Sequence, residues 1–149
     1  MSTLPASLAD IVEDFTAVGP KDRLQLLLEM SQQLPPLPDR YAGHRESMEQ
    51  VPECQTPLFL AVEVDDGGGV HLFFDAPPEA PTTRGFAGIL REGLDGAGVE
   101  DVLAVPEDFY LGLGLGEAVS PLRLRGMAAM LGRIKRQVRE RDRQASSPR

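Results

Sequence analysis

Cysteine is almost absent from this chain of 149 residues, because Cys54 is the only one. A single cysteine cannot form an internal disulfide, so the sequence predicts a reducing, cytoplasmic location. A lone thiol also cannot supply the roughly four ligands of a zinc or iron–sulfur site. We therefore expect no zinc or iron–sulfur site at Cys54 itself, and our leading hypothesis for the protein includes neither a metal ion nor another cofactor.

Basic residues and long apolar runs are also scarce. The chain contains 15 Lys and Arg residues and 23 Asp and Glu residues, which gives a net charge of −8. This negative charge argues against a nucleic-acid ligand, which requires a basic face. No apolar run reaches the ~18 residues of a membrane span. The first 15 residues contain no Lys or Arg, so no secretory signal is predicted. The negative charge favours protein partners that carry basic patches.

The hydrophobic share of 42% is typical of a globular chain of this length. We expect one domain over residues 1–141, followed by a flexible basic tail over residues 142–149.

Apolar spacing locates the expected elements. Helical spacing predicts a first helix capped by Ser7, a second beginning at Pro20, a third opening at Thr82 or Thr83, and a last helix over roughly 121–141 capped by Ser120. The first two helices are expected to form an antiparallel pair that covers the sheet. Alternating apolar residues predict strands at 58–65 and 70–75, joined by a turn at 66–69, and a first strand within 39–51.

Several apolar residues and glycines are assigned to the core. In the third helix, Gly85, Gly88 and Gly93 each weaken the helix by about 1 kcal/mol relative to Ala, and their small size predicts close packing. Residues 99–116 are expected to form short helical turns. The core candidates of the second helix and of these turns are Leu24, Leu27, Leu28, Leu34, Leu103, Val105, Phe109 and Leu111.

Cys54 lies between Pro52 and Pro57, in a short irregular segment that leads into a strand. Two interpretations stay open: a small buried hydrophobe, as free cysteines often are, or a reactive thiol at the rim of the sheet. Glu49 and Glu53 would raise the pKa of the thiol if they lie close to it. Arg40, Arg45 or His44 could offset that effect.

Arg123 falls in the first turn of the last helix, where a cation is unfavourable by about 0.3–1 kcal/mol. It is either an exposed arginine that reaches a carboxylate, or it faces a thiolate or persulfide anion. The two histidines carry weaker signals: His71 is expected on the outer face of its strand, and nothing in the spacing supports a hydrolytic pair of His44 with Cys54. The remaining acidic candidates, expected as solvated surface or a docking patch, are Glu92, Glu100, Asp101, Glu107 and Asp108.

Several of these segments together resemble one family. Residues 48–56, MEQVPECQT, are similar to the V-x-G-C-Q-S segment of the SufE-like sulfur acceptors. The resemblance continues through the strand PLFLAVEV, through Thr83-Arg-Gly-Phe, and through SPLRLRGMAAML, which resembles that family's S-P-x-R-x-x-G-x-x-x-M. It covers residues 8–138 in the right order.

The resemblance implies the fold class α+β, with a small antiparallel sheet packed against several helices, as in IscU-type scaffolds. It implies that Cys54 accepts sulfane sulfur from the persulfide of a pyridoxal-phosphate-dependent, SufS-like cysteine desulfurase. The sulfur then passes to a SufB-like iron–sulfur scaffold. The resemblance gives Arg123 a role in partner contact and transfer, and it marks Glu79 and Gln55 as residues of partner docking or loop cover.

The sequence departs from the family at two positions beside the cysteine. Glu53 replaces the usual glycine and Thr56 replaces serine, so the mobility of the loop or the pKa of the thiol is expected to differ. The rival hypothesis is an adaptor without catalytic chemistry that activates a desulfurase by binding, with Cys54 structural. In neither case do we expect independent turnover.

Overall fold

The computed structural model describes residues 4–54, 56–116 and 118–146, and it confirms the α+β class. Within these residues the chain forms five α-helices and one three-stranded sheet. The elements are α1 (Ala6–Thr16), α2 (Pro20–Gln32), β1 (Glu49–Gln50), β2 (Phe59–Val64), β3 (Val70–Asp75), α3 (Pro81–Leu94), α4 (Val99–Leu103) and α5 (Pro121–Ser146), with 3₁₀ turns at Arg45–Ser47, Pro52–Cys54 and Phe109–Leu113.

The sheet is antiparallel, in the order β1-β2-β3. The predicted alternation is confirmed, because Leu60 and Val62 of β2 and Val70, Leu72 and Phe74 of β3 are all buried. The β2–β3 turn is held by the Asp65 carboxylate, which accepts hydrogen bonds from the backbone N–H groups of residues 67 and 69 at 3.0 and 2.8 Å. The strands β2 and β3 and the turn between them therefore lie where the sequence predicts, to within one residue at each end of β2.

The outer edge of β3 is covered by the chain that follows α3. Asp95 Oδ1 accepts the Leu72 N–H at 2.8 Å, and the Gly96 N–H donates to the Val70 carbonyl at 2.6 Å. The Val70 N–H in turn donates to the Ala97 carbonyl at 2.8 Å. Backbone groups along the first part of this edge are therefore already bonded.

The prediction that the first two helices cover the sheet is wrong. Helices α3 and α5 pack on the sheet, while α1 and α2 pack mainly on α3. The glycines of α3 permit this second layer: a Cβ on Gly85 would lie 2.6 Å from the Leu27 carbonyl oxygen, and one on Gly93 would lie 2.6 Å from Leu8 Cδ1. The close packing expected from these glycines is thus confirmed, and the helices that pack closely against them are α1 and α2.

Helix boundaries follow prolines more than hydroxyl residues. Helix α2 begins at Pro20 as predicted. Helix α1 begins at Ala6 and α3 at Pro81, so the predicted cap Ser7 and the predicted start at Thr82 or Thr83 are wrong. Proline is already fixed at the φ of a first helical residue and loses no hydrogen bond there.

The start of α5 is confirmed and its end is wrong. The Ser120 hydroxyl accepts the Arg123 N–H at 3.3 Å, as an N-cap should. The helix runs to Ser146 and not to 141, because no proline or glycine occurs between Arg141 and Pro148 to end it. The single domain over 1–141 stays a prediction.

Two core assignments fail. Leu24 is 40% exposed, because the packed stripe of α2 begins one turn later at Leu27. Leu111 is 65% exposed, because it projects away from Phe109 and Leu113 in a tight 3₁₀ turn. Leu28 and Leu103 are half-buried, and the buried members of the predicted set are Leu27, Leu34, Val105 and Phe109.

Candidate functional site

Cys54 ends the 3₁₀ turn Pro52–Cys54 between β1 and β2. The Val51 N–H donates to the Leu58 carbonyl at 2.9 Å, which closes the base of the connection. The Cys54 N–H donates to the Val51 carbonyl at 3.2 Å, which closes the turn itself. The irregular segment predicted around the cysteine is therefore confirmed, and its two ends are fixed by the sheet.

The cysteine thiol rests against α5 at Gly126. Cys54 Sγ lies 3.7 Å from the Gly126 carbonyl oxygen, to which the thiol donates a weak hydrogen bond. A Cβ on Gly126 would lie 3.2 Å from Sγ and 3.4 Å from the Cys54 Cα, so the glycine makes room for this contact. Cys54 is half-buried and packs on the main hydrophobic core. The structure thus combines features of both interpretations of this residue.

The surroundings of Cys54 keep its thiol protonated. Burial raises the pKa of the Cys54 thiol to about 12, the negative charge of Glu53 acts in the same direction, and Arg133 opposes them. Since the thiolate is the nucleophile, this position of the turn disfavours reaction at Cys54.

Arg133 joins the cysteine turn to α5. Its Nη1 and Nη2 lie 3.1 and 3.0 Å from the two carboxylate oxygens of Glu53. Its Nε lies 3.2 Å from Glu49 Oε2 but not in hydrogen-bond geometry. Glu49 is held in addition by an ion pair with Arg136 and by a hydrogen bond from Gln137 Nε2 at 2.8 Å.

Sequence reasoning missed Arg133 and chose other cations in its place. Arg40 pairs with Glu63 at 2.7 Å, and Arg45 pairs with Asp75 at 2.9 Å, so the proposed offset by these residues is wrong. One signal was available, since Arg133 lies seven residues, or two helical turns, after Gly126 and therefore on the same face of α5.

The segment after Cys54 is tied to the start of α3. The hydroxyl groups of Thr56 and Thr83 lie 3.4 Å apart, and Thr83 is buried. Arg84 fixes this end of α3 through hydrogen bonds to the carbonyls of Ser31 at 2.9 Å and Ala76 at 2.7 Å. Thr56 therefore retains the hydroxyl of the serine that it replaces in the motif.

Three other site candidates are not brought into contact with Cys54. Arg123 is exposed one turn before Gly126, and Glu79 is exposed in the turn before α3. Within residues 4–54, 56–116 and 118–146, neither side chain forms a hydrogen bond or an ion pair. Gln55 lies outside the described residues. The roles of all three stay predictions.

The histidines have local partners. His44 Nδ1 lies 3.0 Å from Glu46, so no pair with Cys54 forms. His71 Nε2 lies 2.7 Å from Asp65 Oδ2 on the outer face of the sheet, as expected, and this hydrogen bond is the largest cause of its raised pKa. The acidic candidates are exposed, as expected for solvated surface: Glu92, Glu100, Asp101, Glu107 and Asp108.

The described part of the chain contains no group of three or more His, Cys, Asp and Glu side chains placed to hold a metal ion. None of its helices has the length and apolar character needed to cross a membrane.

The fold and the site define an α+β protein that presents one cysteine on a turn between two strands. The family model for SufE, described as an Fe-S metabolism associated domain, matches residues 9–138. The chain therefore belongs to the SufE family, and the resemblance seen in its motifs is confirmed.

Similar proteins support this assignment. A SufE-like protein of Mycobacterium tuberculosis is 58% identical over 141 residues, which are 95% of this chain and 97% of that protein. The cysteine desulfuration protein SufE of Plasmodium falciparum is 25% identical over 136 residues, 89% of this chain and 53% of that protein. The solution structure of a hypothetical protein from Thermus thermophilus matches with a TM-score of 0.82 and 46% identity, covering 93% of this chain and 97% of that one.

Proposed function

We propose that this protein is a sulfur acceptor and carrier that takes sulfane sulfur onto Cys54 from a cysteine desulfurase and delivers it to iron–sulfur cluster assembly. The observation that carries the proposal is the position of Cys54, the sole thiol of the chain, on a turn seated at Gly126 of α5. Both residues belong to the segments that are similar to the SufE motifs. The protein acts in the cytoplasm, where thiols stay reduced.

The transfer is a thiol exchange without net oxidation. The Cys54 thiolate attacks the outer sulfur of the donor persulfide, and a new sulfur–sulfur bond forms on Cys54. The sulfur–sulfur bond of the donor breaks, and its inner sulfur leaves as a thiolate that takes up the proton released by Cys54. The Cys54 persulfide then passes its outer sulfur to the next acceptor by the same exchange.

The partners follow from the family and from the name of one relative. The Plasmodium relative is named a cysteine desulfuration protein. We assign this chain a SufS-like, pyridoxal-phosphate-dependent desulfurase as donor and a SufB-like scaffold as acceptor. The exposed Arg123 contacts the donor, while Glu79 and Gln55 serve docking or cover the cysteine loop.

One observation favours the adaptor as a second candidate. Cys54 packs on the hydrophobic core, and burial raises the pKa of its thiol to about 12, as suits a structural cysteine. In that case the protein activates a desulfurase by binding it and carries no sulfur.

Intact-protein mass spectrometry separates the two candidates. The protein is mixed with a SufS-like desulfurase and free cysteine, without reductant, beside a Cys54→Ser variant. A gain of one sulfur atom in the wild type, absent from the variant, supports the carrier. No gain, with desulfurase activity still enhanced, supports the adaptor, and no gain without enhancement contradicts both.

A further inference from the structure

We infer that Arg133 is a positioning residue for Cys54, and that its ion pair with Glu53 holds the Pro52–Cys54 turn in the sheltered position. Glu53 immediately precedes the cysteine, and both of its carboxylate oxygens contact Arg133 at 3.0 and 3.1 Å. The pair spans 80 positions of sequence and is a direct side-chain link between the turn and α5. A Glu53 that moves away carries Cys54 with it.

The two partners differ in how firmly they are held. Arg133 is 24% exposed, its Nε is buried, and it lies beside Glu49, which Arg136 and Gln137 also hold. Glu53 is 46% exposed, and its carboxylate has no second cation among the described residues. Arg133 is thus the fixed partner on the helix, and Glu53 is the partner that moves.

Release of Glu53 changes both access and charge at the thiol. Glu53 and Arg133 are the charged groups that act on Cys54, in opposite directions. Separation moves the turn out of its sheltered position and leaves the Arg133 guanidinium without its carboxylate partner, free to attract a sulfur anion. A groove of about 290 Å³ beside the pair, lined by Glu49, Ala129, Gly132, Arg133 and Arg136, leaves space next to the guanidinium. The ion pair therefore couples the position of the turn to the ionisation of its thiol.

The role of the Glu53–Arg133 pair rests on the proposed function, because a sheltered thiol matters only if Cys54 carries sulfur. The test of the pair itself needs no desulfurase. The measurement is the rate at which iodoacetamide alkylates Cys54 in the isolated protein, followed by mass spectrometry over a series of pH values. We expect Glu53→Gln to accelerate alkylation about two- to fivefold, the factor that corresponds to a partly exposed ion pair. The pH profile of this variant should also shift to lower pH.

The arginine side of the pair is tested by two substitutions. Arg133→Gln should accelerate alkylation by a similar factor without the shift to lower pH, because it removes the cation that favours the thiolate. Arg133→Lys keeps the charge but loses the two-point contact, so its alkylation rate should fall between those of the wild type and Arg133→Gln. The double variant with Gln at both positions should react no faster than the faster single variant, since one lost contact already releases the turn.

The matched controls lie on the same helix. Arg139→Gln and Glu140→Gln remove one charge each at residues that do not contact the cysteine turn, and both should react like the wild type. The inference is overturned if Glu53→Gln reacts at the rate of Glu140→Gln, or if the two single effects multiply in the double variant.

Because Glu53 is exposed, its substitution preserves the fold. Failure of persulfide formation in the desulfurase assay would count against the carrier and would leave this alkylation result unaffected.

Discussion

At the scale of single residues, Gly126 decides how closely the cysteine turn approaches α5. The space for a Cβ at this position is already occupied by Sγ and Cα of Cys54, at 3.2 and 3.4 Å. Such contacts are tight enough that the turn must shift by a few tenths of an ångström. A glycine within a long helix costs about 1 kcal/mol relative to Ala, so its presence here has a packing reason.

Gly126→Ala should therefore free Cys54 without unfolding the protein. We expect faster alkylation of the thiol and a free energy of unfolding within about 1 kcal/mol of the wild type, because gained helix propensity offsets the tight contact. Gly132→Ala is the control: a Cβ there meets nothing within 4 Å, so it should raise stability by ~0.5–1 kcal/mol and leave the alkylation rate unchanged. Equal alkylation rates in the two variants would contradict this account.

The buried thiol also predicts a dependence of stability on pH. The pKa of Cys54 rises from about 9 in the unfolded chain to about 12 in the fold, so the folded state binds the proton more tightly. The stabilisation is complete below pH 9 and is lost as pH rises from 9 towards 12. Urea unfolding should show the wild type losing stability relative to Cys54→Ser between about pH 8 and pH 10.5. A constant difference would mean that the thiol is not sheltered in solution.

At the scale of elements, the contact between α2 and α3 depends on glycine. A Cβ on Gly88 would meet the Met30 carbonyl oxygen and lie 2.9 Å from its carbonyl carbon, both backbone atoms that cannot rotate away. The two helices would have to separate to accept any side chain at this position. The glycines of α3 therefore determine how closely α1 and α2 pack on this helix, because they carry no side chain at the contact.

Gly88→Ala should destabilise the protein by about 1–3 kcal/mol, despite the better helix propensity of alanine. The measurement is the midpoint of urea unfolding, compared with Gly132→Ala as the helical glycine with open space. A stabilised Gly88→Ala variant would show that the helices are less closely packed than the structure describes.

Local signals in the sequence were sufficient for some elements and not for others. The alternation in β2 and β3 and the Ser120-Pro121 start of α5 depend on neighbouring residues, and the sequence predicts them correctly. The stripe of Leu residues in α2 shows that one face of the helix is buried, but it does not identify the element that covers this face. The prediction therefore placed α2 on the sheet, whereas it packs on α3. Cys54 stands out as the sole thiol, whereas Arg133 is one of several arginines on α5, and its partner lies 80 positions away.

At the scale of the whole molecule, charge is divided between two regions of the chain. Positions 121–149 contain nine of the fifteen Lys and Arg residues but only two of the 23 Asp and Glu residues. Helix α5 is thus a basic element attached to a strongly acidic remainder. Its first turns, with exposed Arg123 and Arg125, lie next to the cysteine turn. A partner that approaches Cys54 meets positive charge in a molecule of net charge −8.

Arg123→Ala tests whether this end of α5 serves the complex. We expect slower sulfur transfer from a desulfurase, by about fivefold or more, and a weaker dependence of transfer on salt. Alkylation of the free protein should stay at the wild-type rate, because the Arg123 side chain forms no hydrogen bond or ion pair with the described residues. Arg139→Ala, an exposed arginine farther along α5, is the control. Equal transfer rates in the two variants would remove Arg123 from the interface.

The covered edge of β3 has a consequence for the protein in a crowded cell. An open strand edge is a template on which other chains can add a strand, and such addition leads to aggregates. Here the chain from Asp95 to Ala97 occupies the bonding groups at the start of β3, and β1 at the opposite edge has only two residues. Neither edge offers a long row of free donors and acceptors. The sheet beside Cys54 therefore gives other chains little unpaired backbone on which to add a strand.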